Sequence, residues 1–273
     1  MKNQILWDCH MHSSFSADAR TDMEDMIREG ILRGLDGICF TEHLDPDYPP
    51  TPDGQIFHLD LPAYKDRLTG LKEKYRDRIT VNFGIEYGLQ PHLKRRFDQE
   101  TQLYPFDFVI ASSHVVHGYD PYYGEFFQNR QESDCYREYF ESILENLRVF
   151  SDIDVYGHID YIVRYGPNQN RCYSYERYQD ILDEILRTLV RKNIGIELNT
   201  GGYHYGLGEP NPCTAVIRRY RQLGGEIITV GADAHSPEKI AFAFDKAAEV
   251  LIDCGFRYYT IFKNRTPEFI PLR

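Results

Sequence analysis

Seven times along this chain a short apolar run rich in β-forming residues is followed by a stretch whose apolar residues recur with helical spacing. The pairs are Gln4–Asp8 with Asp22–Arg33, Gly37–Phe40 with Ala63–Tyr75, Thr80–Glu86 with His92–Gln99, and Phe108–Ser113 with Asp134–Phe150. They continue as Val155–His158 with Tyr175–Lys192, Gly195–Asn199 with Thr214–Leu223, and Ile227–Gly231 with Glu238–Cys254. Strands joined through helices run parallel, because a tight turn reverses the chain and only a crossover restores its direction. Seven such units, with no GxGxxG or Walker loop to mark an open nucleotide-binding sheet, predict an α/β barrel.

At 273 residues, 42% of them hydrophobic, the chain can fill one core of that kind. No internal repeat, low-complexity tract or linker marks a boundary, so a single domain over residues 1–273 is expected. Two segments carry turn chemistry in place of helical pattern, Asp45–Gly54 with its Pro and Asp, and Val116–Glu132 with its Tyr and Gly; both are expected to be loops over the site. No run of about 18 apolar residues exists to span a bilayer. The first residues lack the apolar stretch of a signal peptide, so a soluble, cytoplasmic protein without a membrane partner is expected. The six cysteines, at positions 9, 39, 135, 172, 213 and 254, form no CxxC pair and fit reduced thiols. A formal charge of −11 repels a polyanionic backbone, which disfavours nucleic acid and leaves a small molecule as the expected partner. No pattern in the chain bears on its oligomeric state.

In a β/α barrel the functional groups collect at the C-terminal strand ends. Here the seven ends read Asp8-Cys9-His10-Met11-His12, Thr41-Glu42-His43, Gly84-Ile85-Glu86, Ser112-Ser113-His114, Gly157-His158-Ile159-Asp160, Glu197-Leu198-Asn199 and Gly231-Ala232-Asp233-Ala234-His235. Six of the ten histidines (His10, His12, His43, His114, His158 and His235) fall on that one expected face. Side chains two apart on a strand point to the same side, so His10 and His12 can hold one ion together. Imidazole suits zinc, iron and manganese, and Glu86 and Asp233 add oxygen ligands able to bridge neighbouring ions. His58 and His92 read as ordinary surface histidines.

The motifs DxHxH, TEH, GIE, SSH, GHID and GADAH, in this order across nearly the whole chain, resemble the polymerase and histidinol phosphatase (PHP) superfamily. The length leaves no room for a polymerase body, so within it the chain is similar to the stand-alone histidinol-phosphatases of histidine biosynthesis. That resemblance implies a distorted (β/α)7 barrel holding three divalent transition-metal ions. It implies that His10, His12, Glu86 and Asp233 bind the first ion, that Glu86 bridges to a second held by His114 and His158, and that Asp18, His43 and His235 hold the third. Some members of the superfamily carry histidine where this chain has Asp18.

Three divalent ions outweigh the charge of Asp18, Glu86 and Asp233, so the site should attract a phosphate dianion despite the net negative charge. A hydroxide between the first two ions would then attack phosphorus in line, with nearby cations stabilising the equatorial oxygens. Arg164 and Arg20, close in sequence to expected ligands, are the candidates to fork onto phosphate. Asp160 either protonates the leaving alkoxide or supports His158, and the residues themselves do not separate these roles. Glu42 and Glu197 are candidates to bind the amino group of an amino-alcohol phosphate or to support ligands. His117 and His204 are candidates to touch phosphate or the substrate's imidazole. Tyr119, Tyr122 and Tyr123 form a possible aromatic cover.

Other activities fit less well. A nuclease of the same superfamily needs a basic track that is missing, and a different small phosphomonoester or a nucleotide remains the alternative substrate. An amidohydrolase also opens on HxH but commonly bridges its metals with a carbamylated lysine, whereas Glu86 and His114 stand at the comparable places. A binding domain without turnover would show lost ligands, and every expected position is filled.

Overall fold

The computed structural model describes residues 5–52 and 54–272. Its strands are β1 (Trp7–Met11), β2 (Gly37–Phe40), β3 (His43–Leu44), β4 (Thr80–Gly88), β5 (Phe108–Ser112), β6 (Val155–Tyr156), β7 (Gly195–Asn199), β8 (Ile228–Gly231), β9 (Tyr258–Lys263) and β10 (Thr266–Pro271). The helices are α1 (Met23–Leu32), α2 (Leu61–Tyr75), α3 (Lys94–Leu103), α4 (Glu132–Val149), α5 (Gln179–Lys192), α6 (Gly201–His204), α7 (Thr214–Gln222) and α8 (Phe244–Asp253). The parallel sheet runs β1-β2-β4-β5-β6-β7-β8, with β3 beside β4. Met11 bridges to Ala234 in parallel, and Asp233 N donates to His10 O at 2.9 Å, so the chain just past β8 returns to β1 and the barrel nearly closes. This is the α/β barrel of seven main parallel strands that the alternation predicts.

The helices form for ordinary reasons. The carboxylates of Asp22 and Asp60 cap α1 and α2 by accepting from Glu24 N and Ala63 N. Along α5, Ile181, Leu182, Ile185, Leu186 and Leu189 bury one stripe, and Asn193 ends the helix at φ 56°.

Three differences from the sequence expectation matter. The first strand lies later than 4–8, where Gln4 is outside the described residues: β1 includes His10, because polar Asp8 is tolerated inside the strand. Asp8 is fully buried, and its carboxylate accepts from Ala232 N at 3.0 Å, Ala241 N at 2.8 Å and His10 N at 3.3 Å. It latches β1 to the segment after β8 and so helps to close the barrel. Asp8→Ala strands those buried donors and is expected to lower stability by about 2–4 kcal/mol, read from the urea midpoint; a midpoint within experimental scatter of the parent would refute the latch.

Secondly, several helices start late behind a tighter turn, as at Pro91–Leu93 before α3 and Tyr175–Tyr178 before α5. Thirdly, the antiparallel hairpin β9-β10 plugs the N-terminal end of the barrel. Asn82 donates to Phe262 O at 2.8 Å, Ile228 N to Thr260 Oγ1 at 3.2 Å, and Arg265 Nε to Asp154 Oδ2 at 2.6 Å. With that end sealed, the opposite one is left for chemistry.

Candidate active site

His10 and His12 both turn inward from β1, completely buried, with their Nε2 atoms 3.1 Å apart. Glu86, near the end of β4, stands at the centre. Its Oε2 lies 3.1 Å from His10 Nε2, 3.4 Å from His12 Nε2 and 3.1 Å from His43 Nδ1. Its Oε1 lies 3.3 Å from His114 Nε2 and 3.0 Å from His158 Nε2. Asp233 Oδ1 adds contacts of 3.6 and 3.4 Å to His10 and His12. At the rim, Asp18 Oδ2 lies 3.6 Å from His43 Nε2 and 3.2 Å from His235 Nε2. The His12 ring is stacked between His43 and His235, with centroids 4.1 and 4.2 Å away, so the first and third groups adjoin.

The orientation of these rings fits metal ions. Four of the six imidazoles have Nδ1 held by an oxygen: His10 by Glu197 Oε1 at 2.6 Å, His12 by Ser16 Oγ at 3.1 Å, His114 by Asp45 Oδ1 at 2.8 Å and His235 by Asp233 O at 3.0 Å. An oxygen accepting from Nδ1–H leaves the Nε2 lone pair free, and here that lone pair points into the cluster, as metal-binding histidines are arranged. Burial would raise the carboxyls of Glu86 and Asp233, yet the facing histidines hold both well below the usual range. Against burial, the facing carboxylates raise His10, His43, His114 and His235, the last to about 9, while burial depresses His12 and His158.

Close packing sets this geometry. At Gly231 a Cβ would lie 2.3 Å from His10 Cβ and 2.5 Å from Glu197 Oε1, and at Gly88 one would overlap Asp45 Oδ1. Only glycine leaves room for the two carboxylates that orient His10 and His114. Asp45→Asn and Glu197→Gln are each expected to weaken metal affinity about 10–100-fold in chelator competition, with the fold retained. Unchanged affinity in both would remove the orienting role.

Above the cluster opens a cavity of about 450 Å³. Asp18, His43, His114, His158, Asp233 and His235 form its floor, and Arg164, His204 and Lys239 are on its wall. Arg164 is 4% exposed; Nε donates to Asn211 Oδ1 at 2.8 Å, Nη1 to Asp233 Oδ2 at 3.0 Å and Nη2 to Asn199 Oδ1 at 2.9 Å. Guanidinium has five N–H groups, so two remain for a ligand. Lys239 Nζ lies 2.7 Å from His204 Nδ1.

Several sequence candidates stand elsewhere. Glu42 is fully buried and accepts from Ser13 N, Ser13 Oγ and Ser16 Oγ, at 3.1, 2.5 and 2.6 Å; it braces the β1 loop and does not line the cavity. Glu197 is equally enclosed behind His10. Asp160 is 1% exposed and off the cavity lining, where its oxygens accept from Asn211 Nδ2 at 2.6 Å and Cys213 N at 2.8 Å, making it the anchor of the residue that holds Arg164. Burial pushes its carboxyl up to about 6, against the pull of those hydrogen bonds. His117 is half-exposed and bonded to Glu138 and Glu145 of α4, at 2.8 and 3.4 Å, on the outer surface. Arg20 is exposed and lies off the cavity lining. Of the tyrosines in the 116–132 loop, Tyr122 and Tyr123 line the cavity, whereas Tyr119 faces solvent.

The sequence reading missed Asp45, Asn199 and Asn211 as supports, and Asp120, Tyr48, Phe57 and Lys239 as cavity residues. Asp45 and Asn199 had a signal, since Asp45 follows His43 by two in the short strand region and Asn199 ends β7; the others lie outside the strands, with no periodicity to place them.

A parallel β/α barrel that gathers six imidazoles and two aspartates around one central glutamate defines a metal-dependent hydrolase of the barrel type. The chain belongs to the PHP domain family: the family model described as "PHP domain" matches residues 8–201. It is 34% identical over 258 residues to the histidinol-phosphatase of Lactococcus lactis subsp. lactis, covering 94% of each chain. It is 31% identical to a probable histidinol-phosphatase of Clostridium acetobutylicum, covering 93% of this chain and 95% of the other. A crystal structure of the histidinol phosphate phosphatase from Lactococcus lactis, complexed with zinc, L-histidinol and phosphate, superposes with a TM-score of 0.89 at 32% identity, covering 96% and 98% of the two chains.

Proposed function

We propose that this chain is a histidinol-phosphatase, a metal-dependent phosphomonoesterase that hydrolyses L-histidinol phosphate to L-histidinol and inorganic phosphate. The observation that carries the reading is the convergence of five imidazoles on Glu86 directly beneath a cavity walled by Arg164, His204 and Lys239. The relative's zinc, histidinol and phosphate complex supports it. The nine residues His10, His12, Asp18, His43, Glu86, His114, His158, Asp233 and His235 would hold three divalent ions of zinc, iron or manganese type. When bound, such ions supply positive charge to the phosphoryl oxygens and acidify water at neutral pH.

The chain's own residues do the positioning. Arg164, pinned by Asn199, Asn211 and Asp233, turns its two remaining N–H groups to phosphate oxygens without a reorientation at each turnover. Lys239 and His204 add cationic and donor capacity on the same wall. Tyr161, 5.0 Å from His158 and 5.5 Å from His114 between ring centroids, covers that side of the floor and limits water.

A cavity of this size in a single domain with net charge −11 suits a small ester and not a nucleic acid. Among the described residues no helix is long and apolar enough to cross a membrane. The six free cysteines fit the reducing cytoplasm. The test is phosphate release from histidinol phosphate against a panel of unrelated phosphomonoesters, with metal content measured in parallel. Histidinol phosphate should give the highest kcat/KM, and a better rate on several unrelated esters would overturn the substrate while leaving the phosphatase class.

A further inference from the structure

Among the described residues, three carboxylates line the cavity: Asp18, Asp120 and Asp233. Asp18 and Asp233 are committed to the imidazole cluster, and Asp233 also to Arg164. Asp120 belongs to neither. A site built to draw a phosphate dianion is a costly place for one more negative charge, because like charges in a desolvated cleft repel strongly.

Burial raises the carboxyl of Asp120, and its hydrogen bonds offset only part of that cost. The residue is 6% exposed, Oδ1 accepts from Tyr122 N at 2.8 Å, and Oδ2 accepts from the Tyr48 hydroxyl. A carboxylate has about four acceptor positions, so two bonds leave capacity for a further donor. Its two donors belong to an aromatic patch: Tyr48 packs on Phe57 at 4.2 Å, Tyr122 on Tyr123 at 4.9 Å, and Tyr122 reaches Tyr165 at 5.3 Å. All of these rings line the cavity. A buried carboxylate beside aromatic rings can receive a cationic nitrogen.

Placement in the barrel sets this receptor apart from His204 and Lys239. Tyr48 and Phe57 follow β3, and Asp120 and Tyr122 follow β5, whereas His204 follows β7 and Lys239 follows β8. Arg164 follows β6, between the two sides, and its neighbour Tyr165 reaches Tyr122. Lys239 and Asp120 thus stand on different sides of the mouth, with Arg164 between them.

We infer that Asp120 is a specificity-determining residue that binds a protonated nitrogen on the leaving-group side of the substrate, so that the cavity selects phosphomonoesters of amino alcohols over neutral ones. The inference rests on the proposed phosphatase reading and adds the group that distinguishes its substrate class. Both ends of a zwitterionic ester would be engaged at once, which fixes the phosphorus over the floor.

The experiment compares kcat/KM of the metal-loaded native protein and Asp120→Asn on histidinol phosphate, on ethanolamine phosphate and on p-nitrophenyl phosphate. Asparagine is isosteric and retains an acceptor for Tyr122 N. The ratio of kcat/KM for each cationic ester over p-nitrophenyl phosphate should fall about tenfold or more, chiefly through KM. A ratio within twofold of native overturns the inference, whether both kinds of ester decline together, as a purely structural role would give, or neither declines. If the native protein ignores histidinol phosphate, the substrate reading fails by itself, and the ethanolamine phosphate ratio, taken as substrate or as competing inhibitor, still decides on Asp120.

Discussion

Glu86→Gln should lower kcat/KM for phosphate release by at least about a thousandfold and reduce the metal bound per chain. Its two oxygens face His10, His12 and His43 on one side and His114 and His158 on the other, at 3.0–3.4 Å. No other carboxylate in the described cluster meets so many imidazoles. The amide keeps the shape but loses the charge and presents an N–H₂ to ring nitrogens that must act as acceptors. Ions on both sides of Glu86 would therefore weaken together, and elemental analysis beside the kinetic assay reads both effects. Native metal content with activity within tenfold of the parent would show that Glu86 is not the shared ligand.

The second large effect is expected at Arg164. Arg164→Ala removes the buried guanidinium, frees Asn199, Asn211 and Asp233 from it, and should cost about 10²–10³-fold in kcat/KM. Arg164→Lys should recover little, because an ammonium cannot make three fixed bonds in a plane and still present two donors. Metal content should stay close to native in Arg164→Lys, which distinguishes loss of phosphate binding from collapse of the cluster. Full recovery by lysine would mean that only the charge matters there and would overturn the geometric account.

Much of the site was legible along the chain because strand ends in a parallel barrel all deliver to one face. His10, His12, Glu86, His114, His158, Asp233 and His235 are named by that rule alone, and the structure brings them within contact of one another. Asp18 is different: it lies in the loop after β1, and only the family resemblance singled it out, yet it faces His43 and His235. Asp160, Glu42 and Glu197 sit as close in sequence to expected ligands as the cavity residues do, but each ends up behind the wall, held by local donors. Arg20 and Arg164 are an instructive pair. Both follow an expected ligand by a few residues, and only Arg164 meets the two asparagines and the aspartate that hold it inward.

Composition, periodicity and motif order by themselves determined the barrel, the face that carries chemistry and the residue types gathered there, since those depend on period-two and helical repeats that neighbours in sequence set. Tertiary structure alone decided which polar side chains look into the cavity and which brace it. That choice depends on where loops from β3, β5, β7 and β8 meet and on the glycines, Gly88 and Gly231, that let carboxylates close in behind the imidazoles. Asp120 is the clearest case: nothing near it in sequence distinguishes it from other loop acids, and only the fold brings Tyr48 to it from 72 residues away and places it on the cavity lining.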